Sequence, residues 1–390
     1  MPSNSSLKLS KLKPTEVVKA VNSTPLGTVI GTSQVYRHFE QGGFRIASSD
    51  DERCINLGKY CAWLIDQLDA ARNAESGVRS YAERREAARA ALAEQSLLGR
   101  DIGELPEVKN PERKEACRLN FKLFCETYFP EVYQLEWSPD HLRAIAKIER
   151  AVLKGGLFAL AMSRGSGKSS LTETAAIWAM LYGHREFVVL IGASESAALE
   201  ILDSIKTELE VNEHLAADFP EVTFPIQCLD GIANRCAGQL YKGERTRITW
   251  TSNEIVLPTI TGAASSGVLV RVAGITGRIR GMKYKKPDGR TIRPEFVVID
   301  DPQTSESAGS VEQTRKRVRV LAGDILGLAG PGKKISGIMP CTVIRPGDMA
   351  EQILDKSKHP EWNGERCKML YQFPRNEELW NKYADLRADE

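Results

Sequence analysis

A glycine-rich turn that carries a lysine and a serine is the feature of this 390-residue chain with the clearest chemical meaning. In Leu157–Ser170 an apolar run ends in Gly-x-Gly-Lys-Ser, and the following Leu171–Leu181 has the composition of a helix. Glycines let backbone N–H groups curve around an anion, and the first turn of a helix adds partial positive charge. The order of strand, turn and helix predicts a phosphate-binding loop, with a Gly/Ser-rich surface turn as the alternative.

The residues of this loop have separate expected roles in binding ATP. Lys168 is expected to reach the β- and γ-phosphates, and the hydroxyl of Ser169 to bind Mg²⁺. The common pattern has a glycine where this chain has Met162, and Arg164 stands inside the loop instead. Arg164 either stabilises charge as the γ-phosphoryl group leaves or only faces solvent. The predicted nucleotide contacts are Ser163, Arg164, Gly165, Ser166, Gly167, Lys168, Ser169 and Ser170.

Two acidic residues follow a second apolar run. Phe296–Ile299 are apolar and mostly β-branched, which is typical of a strand buried on both faces of a parallel sheet. Asp300 and Asp301 come next, at the edge where open α/β sheets bind ligands. Asp300 is expected to hold Mg²⁺, and Asp301 to orient or activate the attacking water. A turn or helix cap leading into Gln303–Ser307 is the alternative.

Further apolar runs predict the rest of an α/β fold. The predicted strands are Phe187–Gly192, Arg247–Trp250, Glu254–Leu257, Val268–Val272 and Lys334–Pro340. An amphipathic helix over Ala197–Leu209 follows the first strand, and a helix over Asp348–Leu354, capped by Asp348, follows the last. Thr342 lies at the tip of the last strand, as a candidate sensor of the γ-phosphate or as an ordinary strand-end threonine.

These motifs together resemble the large terminase subunit of tailed bacteriophages. The resemblance lies in Ser163-Arg164-x-x-Gly-Lys-Ser, in the strand that ends in Asp300-Asp301-Pro302, and in Pro340-Cys341-Thr342 with Asp348. The resemblance covers roughly residues 121–390. An arginine within the phosphate loop is typical of this family. Members are ATPases that drive DNA into preformed capsids. The resemblance implies a P-loop NTPase domain of RecA/ASCE-like type, with a mostly parallel sheet flanked by helices.

The resemblance also implies roles for single residues. Arg164 and Lys168 would bind phosphate, and Ser169 and Asp300 would hold Mg²⁺. Asp301 would be the catalytic acid, and Thr342 would belong to the coupling motif, so that Asp301, Arg164 and Thr342 form the predicted catalytic set. The chain departs from the family where a glutamate is common in place of Asp301, and where Gly-Thr or Ser-Thr is common in place of Cys341-Thr342.

Partners and location follow from the same resemblance. ATP and Mg²⁺ are the implied cofactors, and double-stranded DNA, the portal protein of the procapsid and the small terminase subunit are the implied partners. A pentameric ring at the portal and a location in the host cell cytoplasm are expected as well. Family members carry an RNase H-like nuclease domain built around metal-binding acids, whereas Glu361–Tyr383 is followed by no acid-tipped strand. We expect no nuclease activity here, either because the chain is truncated or because the nuclease is a separate polypeptide.

The chain is expected to contain four parts: a small helical domain over residues 1–75, a helical arm and linker over 76–110, the ATPase domain over 111–360, and the start of a linker to the nuclease domain over 361–390. In the first part the pattern predicts helices over Lys13–Val21, Thr32–Glu40 and Ile55–Leu68, with a wing strand at Phe44–Ile46. A winged helix-turn-helix would turn Ser33, Gln34, Arg37 and His38 toward DNA. A helical docking module is the alternative. The arm corresponds to Arg79–Leu97, which has strong helix propensity.

The segment ahead of the phosphate loop permits two interpretations. Trp137–His141 opens a helix that runs to Leu153. Related motors use a residue near His141 to recognise adenine. The simpler interpretation, which we favour, is that Ser138 caps the helix and Pro139 occupies its first turn.

The overall charge limits how this chain could contact DNA. It has 53 basic and 51 acidic residues and a net charge of +2, so that DNA contact requires a local patch. A basic run interrupted by glycines is the candidate, as a loop that touches DNA phosphates or a neighbouring subunit's ATP, or as a solvated surface loop. It consists of Arg271, Arg278, Arg280, Lys283, Lys285, Lys286, Arg290 and Arg293.

Composition and length narrow the remaining classes. The eight cysteines show no Cys-x-x-Cys spacing, which favours free thiols in a reducing compartment. No apolar run approaches the length of a membrane span.

A helicase or remodelling ATPase is one alternative function, although too little chain follows Asp301 for a second RecA-like lobe. A nucleotide-switched DNA-recognition or docking subunit is the other, although such a subunit does not require the second acid of the Asp300-Asp301 pair.

Overall fold

The computed structural model describes residues 8–23, 29–48, 51–74, 100–373 and 375–388. Its helices are α1 (Pro14–Asn22), α2 (Thr32–Gly42), α3 (Leu57–Ala74), α4 (Pro111–Arg118), α5 (Phe121–Tyr128), α6 (Pro139–Leu153), α7 (Lys168–Leu181), α8 (Glu195–Val211), α9 (Glu213–Asp218), α10 (Pro220–Gln227), α11 (Ser305–Gly309), α12 (Val311–Arg319), α13 (Met349–Leu354) and α14 (Glu377–Ala388). The predicted helical arm Arg79–Leu97 lies outside the described residues.

The strands of the described residues form one large sheet and three small two-stranded sheets. They are β1 (Ala47–Ser48), β2 (Asp51–Ile55), β3 (Leu157–Ala161), β4 (Phe187–Gly192), β5 (Leu240–Tyr241), β6 (Glu244–Arg245), β7 (Thr249–Trp250), β8 (Glu254–Val256), β9 (Leu269–Gly274), β10 (Tyr284–Lys285), β11 (Thr291–Ile292), β12 (Phe296–Asp300), β13 (Ser336–Cys341) and β14 (Glu365–Arg366).

The large sheet confirms the predicted α/β class. Its eight strands follow the order β14-β3-β13-β12-β4-β9-β8-β7. The pairs from β14 to β9 are parallel, and β8 pairs with β9 in the antiparallel sense. Because β13 lies between β3 and β12, the ends of these three strands meet at the same edge of the sheet.

Burial on both faces explains why the central strands read as continuous apolar runs. Every residue of β3, β4 and β13 is buried. Side chains such as Leu157 and Ala159 pack into a core that also contains Ile353 of α13, whereas Leu160 packs against Ala144 of α6. Each fully buried Val, Leu or Ile stabilises such a core by about 1.5–3 kcal/mol.

The chain divides into two compact units, each with a core of its own. The first unit comprises residues 1–107, 220–249 and 258–261, and the second comprises 108–219, 250–257 and 262–390. The sequence assigned residues 220–249 to the ATPase domain, but in the structure they group with the N-terminal residues. Backbone hydrogen bonds explain this grouping, since Leu240 N donates to Arg100 O and Ile102 N donates to Leu240 O.

The N-terminal helices of the first unit surround a small core of their own. Its buried members are Leu12, Val17, Ile30, Val35, Ile46, Ile55, Tyr60 and Trp63. The predicted wing strand Phe44–Ile46 is wrong, because Gly43–Arg45 form a 3-10 turn and the hairpin consists of β1 and β2 instead. Helix α2 begins at Thr32 as predicted, with Gly31 as its N-cap.

Two of the residues expected to face DNA contact the first unit itself. His38 Nδ1 lies 2.7 Å from the Tyr60 hydroxyl, and its ring packs against Trp63. Burial and the nearby charge of Arg37 lower the pKa of His38. Arg37 Nη2 donates to Asp101 O at 3.1 Å. His38 is therefore a packing residue of this module rather than an outward-facing one.

The C-terminal segment adds one strand, β14, to the large sheet. β14 pairs with β3, so that the large sheet continues past residue 360, where the sequence placed the start of a linker. Helix α14 has no buried residue. Among the described residues no helix combines the length and the apolar character that crossing a membrane requires.

Candidate functional site

The glycine-rich loop lies between β3 and α7. Gly165 and Gly167 have φ of 75° and 72°, in the left-handed region that glycine adopts without strain. A Cβ built on either glycine has no atom within 4 Å. The loop backbone therefore faces open space, which a bound anion could use.

Helix α6 anchors this loop. His141 Nε2 lies 2.8 Å from Ser166 O, and because a carbonyl oxygen only accepts, the ring nitrogen is the donor. His141 Nδ1 lies 2.8 Å from Ser138 Oγ. The same oxygen accepts a hydrogen bond from His141 N and caps the helix. The capping interpretation of Ser138 and Pro139 is confirmed. Both ring nitrogens of His141 contact protein atoms.

Asp300 and Ser169 meet at the start of α7. Asp300 is the last residue of β12, and Ser169 Oγ donates to its Oδ1 at 3.2 Å across 131 residues of sequence. Burial raises the pKa of Asp300, and the neighbouring charge of Asp301 raises it further, whereas the Ser169 hydrogen bond and Lys168 lower it. The two oxygen ligands expected for Mg²⁺ are adjacent.

Asp301 lies beside the lysine of the loop. Its Oδ2 is 3.2 Å from Lys168 Nζ, whose side chain is only 8% exposed. Asp301 has a φ of 33°, which is unusual for a residue with a side chain and costs about 1–3 kcal/mol. Its backbone N–H donates to Pro340 O at 3.1 Å. The neighbouring strand thus holds the acid in this strained turn.

The remaining loop residues differ in their surroundings. Arg164 is exposed, and within the described ranges no residue forms a hydrogen bond or ion pair with it. The hydroxyl of Ser166 is buried without a hydrogen-bond partner there. Ser163 precedes the turn and its carbonyl accepts from Ser166 N, whereas Ser170 lies in the first turn of α7. Arg164 can therefore move without breaking a protein contact.

Thr342 follows β13 and stands between the loop and the acids. Its hydroxyl is buried, and no described residue hydrogen-bonds with it. Its carbonyl accepts a hydrogen bond from Gln303 Nε2 at 2.9 Å. Asp348 caps α13 through Glu351 N and is 1% exposed. The structure thus brings the predicted loop, acids and coupling residues to one edge of the sheet.

Two polar residues near this edge were missed by the sequence analysis. Gln303 contacts the loop after β13, as described above. Glu173, one turn after Ser169 on α7, has its pKa raised by burial and accepts from Ser204 Oγ at 2.8 Å. A charged residue among the apolar positions of α7 was the only available signal for Glu173, and nothing in the sequence marked Gln303.

Ion pairs occupy part of the predicted basic patch. Arg271 pairs with Glu254, Arg280 Nη2 lies 2.5 Å from Asp324 Oδ1, and Arg290 pairs with Asp288 and Glu186. Buried Lys286 also contacts Glu186. In contrast, the side chains of Arg278, Lys283, Lys285 and Arg293 are exposed and carry no ion pair with a described residue. These four are the basic groups of the run that remain for an external anion.

The donor set at this edge suits Mg²⁺ that also has phosphate and water ligands. The described residues contain no group of three or more His, Cys, Asp or Glu side chains that could hold a metal. Mg²⁺ is usually bound by one or two protein oxygens together with substrate phosphates and water. Ser169 Oγ and Asp300 Oδ1 fit that pattern. The eight cysteines all lie in the described ranges, and none of them forms a disulfide bond.

Comparison with known proteins adds no assignment. No protein-family model matches this chain, and no curated protein matches it either. The functional interpretation therefore depends on the geometry of the site and on the sequence motifs that form it.

Proposed function

We propose that this chain is an ATPase and that it serves as the motor subunit of a viral DNA-packaging terminase. The observation that carries the proposal is the convergence of Lys168 with Asp301 and of Ser169 with Asp300 at one edge of a parallel sheet. A lysine and a hydroxyl from a glycine-rich turn, together with two acids from another strand, supply the groups that phosphoryl transfer requires.

The strand order supports a P-loop NTPase of RecA-like type. One strand, β13, separates the loop strand β3 from the acid strand β12. That inserted strand ends at Cys341, and Thr342, which follows it, can therefore approach both the phosphates and the attacking water. A surface turn or a simple helix cap does not require this arrangement.

The residues of the site suggest a sequence of contacts. Lys168 Nζ would exchange Asp301 for the phosphates, which frees the Asp301 carboxylate to take a proton from water. The loop N–H groups and Arg164 would bind the phosphate oxygens, and Ser169 and Asp300 would hold Mg²⁺. Mg²⁺, when bound, neutralises charge on the phosphate oxygens. Thr342 would sense whether the γ-phosphate is present.

The DNA-packaging part of the proposal depends on the resemblance to terminase large subunits. Arg164 within the loop is the sequence feature that supports it most directly. Exposed Arg278, Lys283 and Lys285 offer a local basic surface for double-stranded DNA. Under this proposal the portal protein, the small terminase subunit and neighbouring copies of the chain in a ring are the protein partners, in the host cell cytoplasm.

Steady-state ATP hydrolysis tests this proposal. We expect Mg²⁺-dependent turnover that double-stranded DNA increases and that Lys168→Ala abolishes. Turnover without any effect of DNA would favour a general switch ATPase over a packaging motor. Absence of ATP turnover in the wild-type protein would refute the proposal.

A further inference from the structure

One buried amide joins the acid turn to the loop after β13. Gln303 follows the Asp300-Asp301-Pro302 turn and is 6% exposed. Its Nε2 donates to Thr342 O at 2.9 Å and to Asp348 Oδ2 at 2.8 Å. Both acceptors belong to the segment that begins at the end of β13 and leads into α13.

The two contacts fix which way this amide faces. A backbone carbonyl and a carboxylate both need donors, so the NH₂ group must face them. Gln303 Oε1 is consequently directed elsewhere, and it is buried without a hydrogen-bond partner in the described part of the chain. A buried acceptor in this condition costs about 1–3 kcal/mol.

Two residues that contact each other, Gln303 and Thr342, each carry a buried polar side-chain atom without a hydrogen-bond partner in the described part of the chain. Buried side-chain atoms of this kind within the described ranges are Ser166 Oγ, Gln303 Oε1, Thr342 Oγ1 and Trp362 Nε1. The first belongs to the glycine-rich loop, and the next two belong to residues that contact each other. Since most buried polar atoms in proteins are hydrogen-bonded, the pair at Gln303 and Thr342 needs an explanation.

Asp348, which Gln303 contacts, organises the loop after β13. Its Oδ2 accepts from Ile344 N at 2.7 Å and from Arg345 N at 3.2 Å, and its Oδ1 accepts from Glu351 N at 2.9 Å. One carboxylate therefore sets both the path of the loop and the start of α13. A displacement of the acid turn would reach this carboxylate directly through Gln303.

We infer that Gln303 is a positioning residue for the hydrolytic site, which keeps Thr342 and Asp348 in register with Asp301. Nucleotide and its attacking water supply the partners that Gln303 Oε1 and the Thr342 hydroxyl lack. The amide thereby transmits the change at Asp301 to α13 when Lys168 moves to the phosphates. This inference rests on the proposed ATPase function.

Substitution of Gln303 separates its role from simple packing. Gln303→Glu keeps the volume but removes the donor and places a carboxylate beside Asp348, so we expect kcat to fall about 10- to 100-fold with the KM for ATP changed little. Gln303→Ala is expected to lower kcat to a similar extent. The matched control is Gln352→Ala, because Gln352 Nε2 donates to Gly347 O of the same loop but does not contact the acid turn.

A double substitution tests whether Gln303 acts through Thr342. Thr342→Val removes the hydroxyl. Gln303→Glu should lower kcat much less in the Thr342→Val variant than in the wild type. Thermal unfolding of each variant checks that it folds. If Gln303→Ala does not fold, the isosteric Gln303→Glu carries the comparison.

The possible outcomes distinguish this inference from the proposed function. Absence of ATP turnover in the wild-type chain would overturn both. An active wild-type enzyme with unchanged kcat in Gln303→Glu would overturn the role of Gln303 alone. Equal losses in Gln303→Ala and Gln352→Ala would also overturn it, because the effect would then belong to the loop in general.

Discussion

Two aspartates of the second unit, the fully buried Asp218 and the partly buried Asp300, differ in how many hydrogen bonds the protein donates to them. Asp218 is fully buried and accepts from Asn110 N, from two guanidinium N–H groups of Arg113 and from the Tyr128 hydroxyl, at 2.7–3.1 Å. Asp300 accepts only from Ser169 among the described residues. An acid that the fold saturates is structural, whereas one that keeps free lone pairs can bind something else.

The pKa values of the two acids shift in opposite directions. Burial raises the pKa of Asp218, but hydrogen bonds from Arg113 and Tyr128 outweigh it and leave the pKa below its ordinary value. Burial also raises the pKa of Asp300, and there the single hydrogen bond does not offset it. The protein thus stabilises the charge of Asp218 and tolerates the charge of Asp300, as expected for a residue kept for function.

The largest expected effect is on the rate of catalysis and comes from Asp301, the neighbour of Asp300. Asp301→Asn removes the carboxylate that would accept a proton from water, and we expect kcat to fall by about 10³-fold while ATP binding persists. Single-turnover hydrolysis and binding of a fluorescent ATP analogue measure the two effects. Asp203→Asn is the matched control, since Asp203 pairs with Lys206 on the exposed surface of α8. Normal turnover in Asp301→Asn would show that another group is the catalytic base.

The second largest effect is on the stability of the fold and comes from Asp218. Asp218→Asn weakens the charge-assisted bonds to Arg113 and brings an amide NH₂ into a site that offers mainly donors. We expect the free energy of unfolding to fall by about 3 kcal/mol. Arg113 is 37% exposed and can be rehydrated, which places the loss at the lower end for buried pairs. Urea denaturation measures this change. A variant as stable as the wild type, or one with kcat reduced more than the stability loss explains, would contradict the structural role.

The strands that form the site could be predicted because each is buried on both faces. Phe187–Gly192 and Phe296–Asp300 have continuous apolar runs, and glycines, Lys168 and paired acids mark the ends of such strands. The sequence could not predict β14, because its two residues are Glu365 and Arg366 and carry no apolar signal. Short pairings of this kind depend on a neighbouring strand rather than on local composition.

The site itself could be predicted only where a residue type has a chemical role. Lys168, Ser169, Asp300 and Asp301 were identified from motif and position, and the structure brings them together. Gln303 was missed because an amide has no distinctive spacing, and its meaning depends on two acceptors about 40 residues away. The winged-helix interpretation turned His38 toward DNA because its hydrogen bond to Tyr60 cannot be read from a helical pattern.

Asp300→Asn, the counterpart of Asp218→Asn, should change the free energy of unfolding in the opposite direction. Asp300→Asn keeps an acceptor for Ser169 Oγ and removes a poorly solvated charge, so we expect the free energy of unfolding to rise by about 1 kcal/mol. Urea denaturation without Mg²⁺ measures it, and ATP turnover should be lost in the same variant. A loss of stability as large as that of Asp218→Asn would mean that both acids are structural.

The smallest expected effect is the pH dependence of the Asp218 contribution. Because the folded protein holds the pKa of Asp218 below its unfolded value of about 3.9, the carboxylate stabilises the fold fully above that value. Its contribution is lost as the pH falls through the lower pKa of the folded state. The stability difference between the wild type and Asp218→Asn should therefore be constant from pH 7 to about 5 and shrink below about pH 4. Urea denaturation at several pH values measures this difference, with Asp203→Asn as the surface control. If this stability difference stays constant down to the lowest pH measured, Asp218 stabilises the unit through packing and not through its charge. The contrast with Asp300 would then not arise from charge.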